Sequence, residues 1–256
     1  MKKSSVFQSL IAGSLAASML LFSMCTAGAQ EVKIITENAP PNSFIENGSL
    51  TGKAVEIVQA VLKEIGMGDH PILIYPWARG YSMLANKKNI MLFPTSRTPY
   101  RENRFKWAGP ISDNPVHLYK LKTRSDIQPS EFEDLRKYRI GSTRNDQKSQ
   151  YLLSKGFTVE LVNQDRQNLG KLFLGRLDII PYAEERLAYD MKLYGYNSSQ
   201  VVKIWQLKEI STQNYVAFSK STDDLFVKKF QEGFDAIRKK GIQERILKKW
   251  RTRLLK

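Results

Sequence analysis

The chain has almost no cysteine. Cys25 is the one example in 256 residues, and it lies inside an apolar N-terminal stretch. If that stretch is removed on export, disulfides, thiolate metal sites and a cysteine nucleophile are all excluded. Histidine is nearly as scarce. His70 and His117 have no spacing that suits metal ligands, and each reads as a surface or packing residue. There is no Gly-x-Ser-x-Gly nucleophile turn, no phosphate loop ending in Gly-Lys-Ser/Thr, and no Gly-x-Gly-x-x-Gly. No cofactor is therefore expected. Neighbouring carboxylates such as Glu184 and Glu185 point in different directions on a helix, which makes them poor material for paired acid–base catalysis. Beyond the N-terminus no apolar run is long enough to cross a membrane. Stability has to come from a hydrophobic core, and the length suits one large domain or two small lobes.

What is present begins with an address. Lys2 and Lys3 precede an apolar stretch that ends at Ala27-Gly28-Ala29, the layout of a secretory signal peptide. Residues 1–29 are expected to be cut away after Ala29, placing the rest in the periplasm. A retained anchor, or a lipoprotein leader using Cys25, fits less well. The formal net charge is +15 and the pI about 9.8. Such a balance suggests nucleic acid in a cytoplasmic protein. Here the address is extracytoplasmic, and the basic residues are scattered or gathered near the C-terminus (Lys239, Lys240, Arg245, Lys248, Lys249, Arg251, Arg253, Lys256). That run reads as a solvated helix face. No nucleic-acid partner is expected.

After the leader, strand and helix patterns alternate. "EVKIIT" reads as a strand. "KAVEIVQAVLKEIG" carries Val55, Val58, Leu62 and Ile65 at helical spacing, with Gly66 placed to end the helix. "PILIYP", "IMLFP", "VHLYKL", "YRIG", "TVELV", "LDIIP" and "YVAFS" read as extended. "ARGYSMLAN", "QKSQYLLSKG", "RQNLGKLFLG" and "EERLAYDMKLYG" read as helices between them, and two amphipathic helices close the chain. The alternation predicts an α/β fold with mainly parallel strands. Turn chemistry at "SDNPV" marks a boundary near residues 112–116.

One stretch, "FPTSRTPYRENRFKWAGP", sets Arg97, Arg101 and Arg104 around a Thr–Pro step, after an apolar run and before a Trp-Ala-Gly-Pro turn. A planar guanidinium offers paired donors that match the two oxygens of a carboxylate. A basic loop in this setting is either a solvated surface or an anion site.

In order along residues 31–250, "ENAPPNSFIENGSLTGKAVEIVQAVLKEIG", "PWARG", "PTSRTPYRENRFKWAGPI", "DLRKYRIGS", "LGRLDIIP" and "VAFSKS…DLFVKKFQEGFDAIRKKG" resemble the family 3 bacterial extracellular solute-binding proteins, in a divergent branch. These are the polar amino acid-binding components of ABC importers. The resemblance implies a type II periplasmic binding fold, two α/β lobes joined by two hinge strands with the ligand enclosed between them. Lobe one would take residues 31–112 and 214–256, lobe two residues 113–213, with hinges near "ISDNPVHLY" and "STQNYVAFS". It implies a monomer that captures a small carboxylate-bearing ligand, an amino acid or related organic acid, without chemistry, and presents it to a membrane permease or a membrane sensor.

The family's Ser/Thr-x-Thr-x-x-Arg pattern matches Ser96 through Arg101, which makes Arg101 the carboxylate grip, with the Ser96 hydroxyl as a second contact. Arg97 and Arg104 are expected at the surface. In "RIGSTRNDQK", Asn145 or Asp146 would cap a helix and leave N–H groups for the anion. The chain also departs from the pattern. Ala183 stands where the family's ammonium-binding aspartate falls, and Ala39 and Asn42 replace aromatics. Glu37 is then a cation partner or a capping acid. Trp77 is replacement aromatic surface or packing. Arg79 is a second cationic contact or a surface charge, and Tyr182 a ligand contact at a strand end or not. Two arginines and no ammonium aspartate lean the expected ligand toward an acidic one. An alternative on the same fold is a cyclic-acid dehydratase using a cleft glutamate, but the matching position is Arg186.

Overall fold

A computed structural model describes residues 31–255. The expected leader, residues 1–29 with Cys25, lies outside the described residues. In chain order come β1 (Lys33–Thr36), the hairpin β2 (Phe44–Glu46) and β3 (Ser49–Thr51), α1 (Lys53–Glu64), β4 (Ile72–Ile74), α2 (Trp77–Asn86), β5 (Ile90–Ser96), the single turn α3 (Pro99–Glu102) and β6 (Phe105–Asp113). Next are β7 (Val116–Leu121), β8 (Ile140–Thr143), α4 (Gln147–Ser154), β9 (Val159–Val162), α5 (Asp165–Phe173), β10 (Ile180–Ala183), α6 (Glu184–Leu193) and β11 (Val201–Gln206). β12 (Gln213–Ser219), α7 (Asp224–Lys239) and α8 (Ile242–Leu255) complete the chain.

The first lobe is built on a sheet of order β4-β1-β5-β12-β6. Side chains alternate across it, as strand geometry requires. Ile34, Met91, Phe93, Val216 and Phe218 pack against α1 and α7 on one face, through Val55, Val58, Leu62, Phe230 and Phe234. Ile35, Leu92 and Ala217 meet Trp77, Tyr81 and Leu84 of α2 on the other. The second lobe has its own sheet, β10-β7-β11, beside the pair β8-β9. It has its own apolar clusters, one around Leu118, Leu135, Leu152 and Ile179 and another around Tyr119, Leu172, Ile180 and Leu187.

The sheets are mixed rather than mainly parallel. β1 runs parallel to β4 and β5, and β8 parallel to β9. β12 is antiparallel to both β5 and β6, and β7 antiparallel to both β10 and β11. The cause is topological. The chain leaves the first sheet through β6 into β7 and returns through β11 into β12, so the strands at the crossing run in opposite senses. The two crossings are tied together: Val116 donates its N–H to Ser211 Oγ (3.0 Å), and Asn114 donates its N–H to the Thr212 carbonyl (2.9 Å).

The Trp-Ala-Gly-Pro segment is strand, not turn. β6 tolerates Pro110 because it is an edge strand. Its register against β12 slips there, between the Asn214–Ser112 and Val216–Ala108 pairs. A second slip lets β12 pass Pro94 of β5.

The loop over residues 37–44 is anchored at the start of α1. Gly52 has φ of 126°, and Lys53 and Ala54 donate to the carbonyls of Pro41 and Asn42. A Cβ on Gly52 would run into the Asn42 carbonyl. Gly52→Ala is therefore expected to cost about 2 kcal/mol or more, from left-handed strain plus overpacking. A melting temperature equal to that of the parent would contradict this.

Candidate functional site

Between the lobes lies a cavity of about 500 Å³ lined from both sides. Lobe one contributes the loop after β1 (Glu37, Ala39, Pro40, Asn42), the hairpin residues Phe44 and Ile45, and Trp77, Ser96 and Arg101. Lobe two contributes Thr143, Asp146, Gln147 and Lys148 around the start of α4, Asp165 at the start of α5, and Arg186, Tyr189, Asp190 and Leu193 of α6. Asn114 and Asn214 line it at the crossings.

Arg101 sits on the α3 turn just beyond β5 and is 1% exposed. It donates to neutral oxygens: Nη1 to the Ser96 carbonyl (3.3 Å), Nη2 to the Asn145 carbonyl (3.2 Å) and Nε to Gln150 Oε1 (3.2 Å). The guanidinium carbon lies 5.3 Å from the Trp77 ring centre and 5.0 Å from that of Tyr81. Burial pulls its pKa below the usual guanidinium range. No carboxylate of the described residues forms an ion pair with it. The positive charge is held at the lobe junction by dipoles, two ring faces and the longer-range field of Asp146, without a direct ion pair among the described residues.

Trp77, also buried, donates Nε1 to the same Asn145 carbonyl (3.0 Å). Asn145 has φ of 59°, a left-handed conformation that Asn tolerates better than most residues. Its contribution is this carbonyl. The side chain is exposed and outside the cavity lining. The neighbouring Asp146 is the helix cap: its Oδ1 accepts from the N–H groups of Lys148 (2.7 Å) and Ser149 (2.9 Å). The start of α4 therefore already holds a carboxylate of the protein. The N–H groups expected to receive a ligand anion are taken by that cap.

Ser96 lines the cavity, but its hydroxyl is committed. It donates to Asn214 Oδ1 (3.1 Å) and accepts from Asn114 Nδ2 (3.1 Å), pinning both crossings to the end of β5. Tyr182 does not line the cavity. It is fully buried behind the lobe-two wall, its hydroxyl donating to Asp190 (2.8 Å), and burial pushes its pKa well up. Residue 183 rather than 182 faces the cavity, because neighbouring strand residues point to opposite sides. Arg79 is exposed and stacks over Tyr75 at 4.7 Å, outside the lining. Arg97 pairs with Glu102 (2.5 Å), and Arg104 lies over the Tyr100 ring at 4.2 Å.

The lobe-two wall is a charge lattice. Lys148 bonds Asp146 (2.6 Å) and Asp165 (3.1 Å), and Thr143 donates to Asp165 (2.6 Å). Arg186 pairs with Asp190 (2.7 Å). Burial opposes ionisation throughout. The two aspartates still raise Lys148, and Lys148 with Arg186 holds Asp165 below its ordinary value. Sequence reading singled out neither Lys148, Asp165 nor Asp190. The (i, i+4) spacing of Arg186 and Asp190 was the one visible signal.

Glu37 faces this lattice from lobe one. It is partly buried, and its carboxylate makes no hydrogen bond among the described residues. Burial, with Asp165 and Asp146 adding to it against Arg186 and Lys148, pushes its pKa up to about 7. The lining carboxylates Glu37, Glu46, Asp146, Asp165 and Asp190 outnumber the lining cations Arg101, Lys148, Arg166 and Arg186. Asn42 Oδ1 and Gln147 Oε1, both on lining residues, also lack donors among the described residues. Glu184 and Glu185 are not in the lining; they pair with Lys203 (2.5 Å) and, across the lobes, with Lys53.

Two lobes joined by paired crossings, with a polar cavity between them, define the type II periplasmic binding fold. The chain belongs to the bacterial extracellular solute-binding proteins, family 3, whose family model matches residues 32–253. No curated protein matches it significantly in sequence. Among solved structures, a histidine kinase sensor domain with similarity to periplasmic binding proteins superposes with a TM-score of 0.72 at 22% identity, covering 86% of this chain and 96% of that one. An ancestral arginine-binding protein bound to arginine gives 0.71 at 18%, covering 87% and 99%. The arginine-, lysine-, histidine-binding protein ArtJ from Geobacillus stearothermophilus gives 0.71 at 18%, covering 85% and 94%. At these identities the likeness is one of fold.

A carboxyl whose pKa is raised on folding adds stability below its ordinary range near 4.5 and loses it as pH rises through about 7. That shift is worth at most about 3 kcal/mol. Glu37→Gln is expected to flatten this loss and to leave the ligand-free protein more stable at pH 8. Denaturant melts at pH 5 and pH 8 measure it; parallel pH profiles for parent and variant would refute the assignment.

Proposed function

We propose that this protein is a periplasmic solute-binding protein that closes two lobes on a small carboxylate-bearing ligand and delivers it to an ABC importer, performing no chemistry itself. The lobes are taken as residues 31–112 with 214–256, and 113–213, hinged at the two crossings. The observation that carries the reading is Arg101: a buried guanidinium in the lining of an interlobe cavity, bonded only to neutral oxygens. A ligand carboxylate entering there meets an always-charged, planar donor pair and displaces the weaker Asn145 carbonyl. Trp77 supplies the neighbouring ring face. Glu37, also in the lining, supplies an acceptor for a cation. The surplus of cleft carboxylates favours a dipolar, amino-acid-like ligand over the polyacid that the two arginines suggested, since Arg79 lies outside the cavity. Two of the superposed structures are amino-acid-binding proteins, in keeping with this class.

A second reading is that the loaded protein is presented to a membrane sensor; the similarity to a histidine kinase sensor domain favours keeping it. Stimulation of importer ATPase activity by the loaded protein supports transport, and stimulation of a sensor's autophosphorylation supports the second reading.

Arg101→Ala is expected to weaken binding by about 1.5–3 kcal/mol, the worth of a charge-assisted hydrogen bond. Arg101→Lys should recover only part of it, because the fork is lost. Calorimetry against a panel of amino acids and organic acids is the measurement, and an unchanged dissociation constant in Arg101→Ala rejects the role.

A further inference from the structure

The cavity does not keep one character along its length. Its inner lining, at Ser96, Arg101, Gln147 and Lys148, is buried and polar. Its lining also includes Ile45, Leu193 and Tyr194, which are 52%, 57% and 42% exposed. Large apolar side chains left in solvent at a cavity edge mark a binding surface rather than ordinary surface scatter. This lip spans both lobes: the Phe44 ring lies 5.5 Å from that of Tyr189. It is also braced from behind. Trp250 of α8 packs edge-on to Phe44 at 5.8 Å, and Arg253 pairs with Glu46 on the same hairpin. A braced apolar lip continuous with a polar pocket is a preformed subsite.

Size agrees. About 500 Å³ holds on the order of fifteen waters at roughly 30 Å³ each. A free amino acid has fewer heavy atoms than that and would leave much of the space wet. Cavities of roughly 300–1,000 Å³ suit larger ligands.

We infer that the ligand is longer than a single amino acid, namely a dipeptide-sized, peptide-like carboxylate whose charged end lies at Arg101 and whose apolar substituent runs out along Phe44, Ile45, Tyr189, Leu193 and Tyr194. This rests on the carboxylate-capture reading above and adds a second, apolar anchor to it.

Calorimetry on the purified protein tests it with glycine and glutamate as parent ligands, Leu-Gly and Leu-Glu as apolar extensions, and Ala-Gly and Ala-Glu as short controls. Leucine-extended ligands are expected to bind about tenfold tighter than their parents, from partial burial of one leucine side chain. Ile45→Ser and Leu193→Ser should erase the preference for leucine over alanine. Both positions are exposed, so the fold is spared, and a melting curve verifies that. Equal affinities for parents and extensions, failure of every dipeptide to bind, or a leucine preference that survives both substitutions overturns the inference. So do lip variants that alter only stimulation of the importer, since the lip would then be a docking surface. Arg101→Ala in the same panel separates the two claims. If it weakens all ligands alike while leucine and alanine pairs match, carboxylate capture stands and the apolar anchor falls. If it changes nothing while the leucine preference stands, the reverse holds.

Discussion

A guanidinium buried among neutral oxygens is the constraint around which this cleft is arranged. Arginine does not lose its proton in a protein interior, so its charge must be met by something. Here three carbonyl-type oxygens and two aromatic rings meet it, and they come from both lobes. Removing such a group's partners is costly in a low-dielectric site, whereas adding an anion is favourable. The placement depends on β5, whose last residue, Ser96, is held between Asn114 and Asn214 at the two crossings. The strand that leads to Arg101 and the two crossings are thus linked through one hydroxyl.

The contacts between the lobes are largely polar, with the Phe44–Tyr189 ring pair as the apolar exception. Trp77 and Arg101 share the Asn145 carbonyl, and Lys53 pairs with Glu185 at another point along the interface. Polar contacts exchange with water at little net cost, which is what opening and closing require. An apolar seal over the whole interface would hold the lobes shut whether or not a ligand was present. In the reading proposed above, the Asn145 carbonyl competes directly with a ligand carboxylate for Arg101, so closure without ligand and closure with it use the same donor.

Much of the fold was legible from the sequence because alternate residues of β1, β5 and β12 are apolar on both faces, and the helices between them have clear apolar stripes. What escaped did so for identifiable reasons. β6 contains Gly109-Pro110, which reads as a turn unless the strand is known to be at an edge with a register slip. β2–β3 and β11 are short or half-exposed, and their pairing partners are set by tertiary contacts. At the site, Arg101 was legible from a local pattern and Trp77 from its neighbourhood. Tyr182 was misplaced by one residue of strand alternation. The Asp146–Lys148–Asp165 lattice joins separate segments and has no local signature.

The cleft and the surface carry opposite instructions. The chain as a whole is strongly cationic, at +15, yet the cavity lining carries more carboxylates than cations. Surface charge acts through water and salt, where it fades over about 10 Å at 0.1 M ionic strength. Cleft charge acts at contact distance in a poorly screened medium. The surface can bias which molecules arrive; in the reading proposed above, selection falls to Glu37, Arg101 and the lobe-two lattice. Glu37 stands out in that set because burial pushes its pKa up to about 7. A ligand cation beside it stabilises the ionised form, so binding such a ligand and losing the Glu37 proton are coupled. On the proposed reading, a cationic protein in this way keeps a pocket that prefers a ligand bearing a positive group as well as a carboxylate.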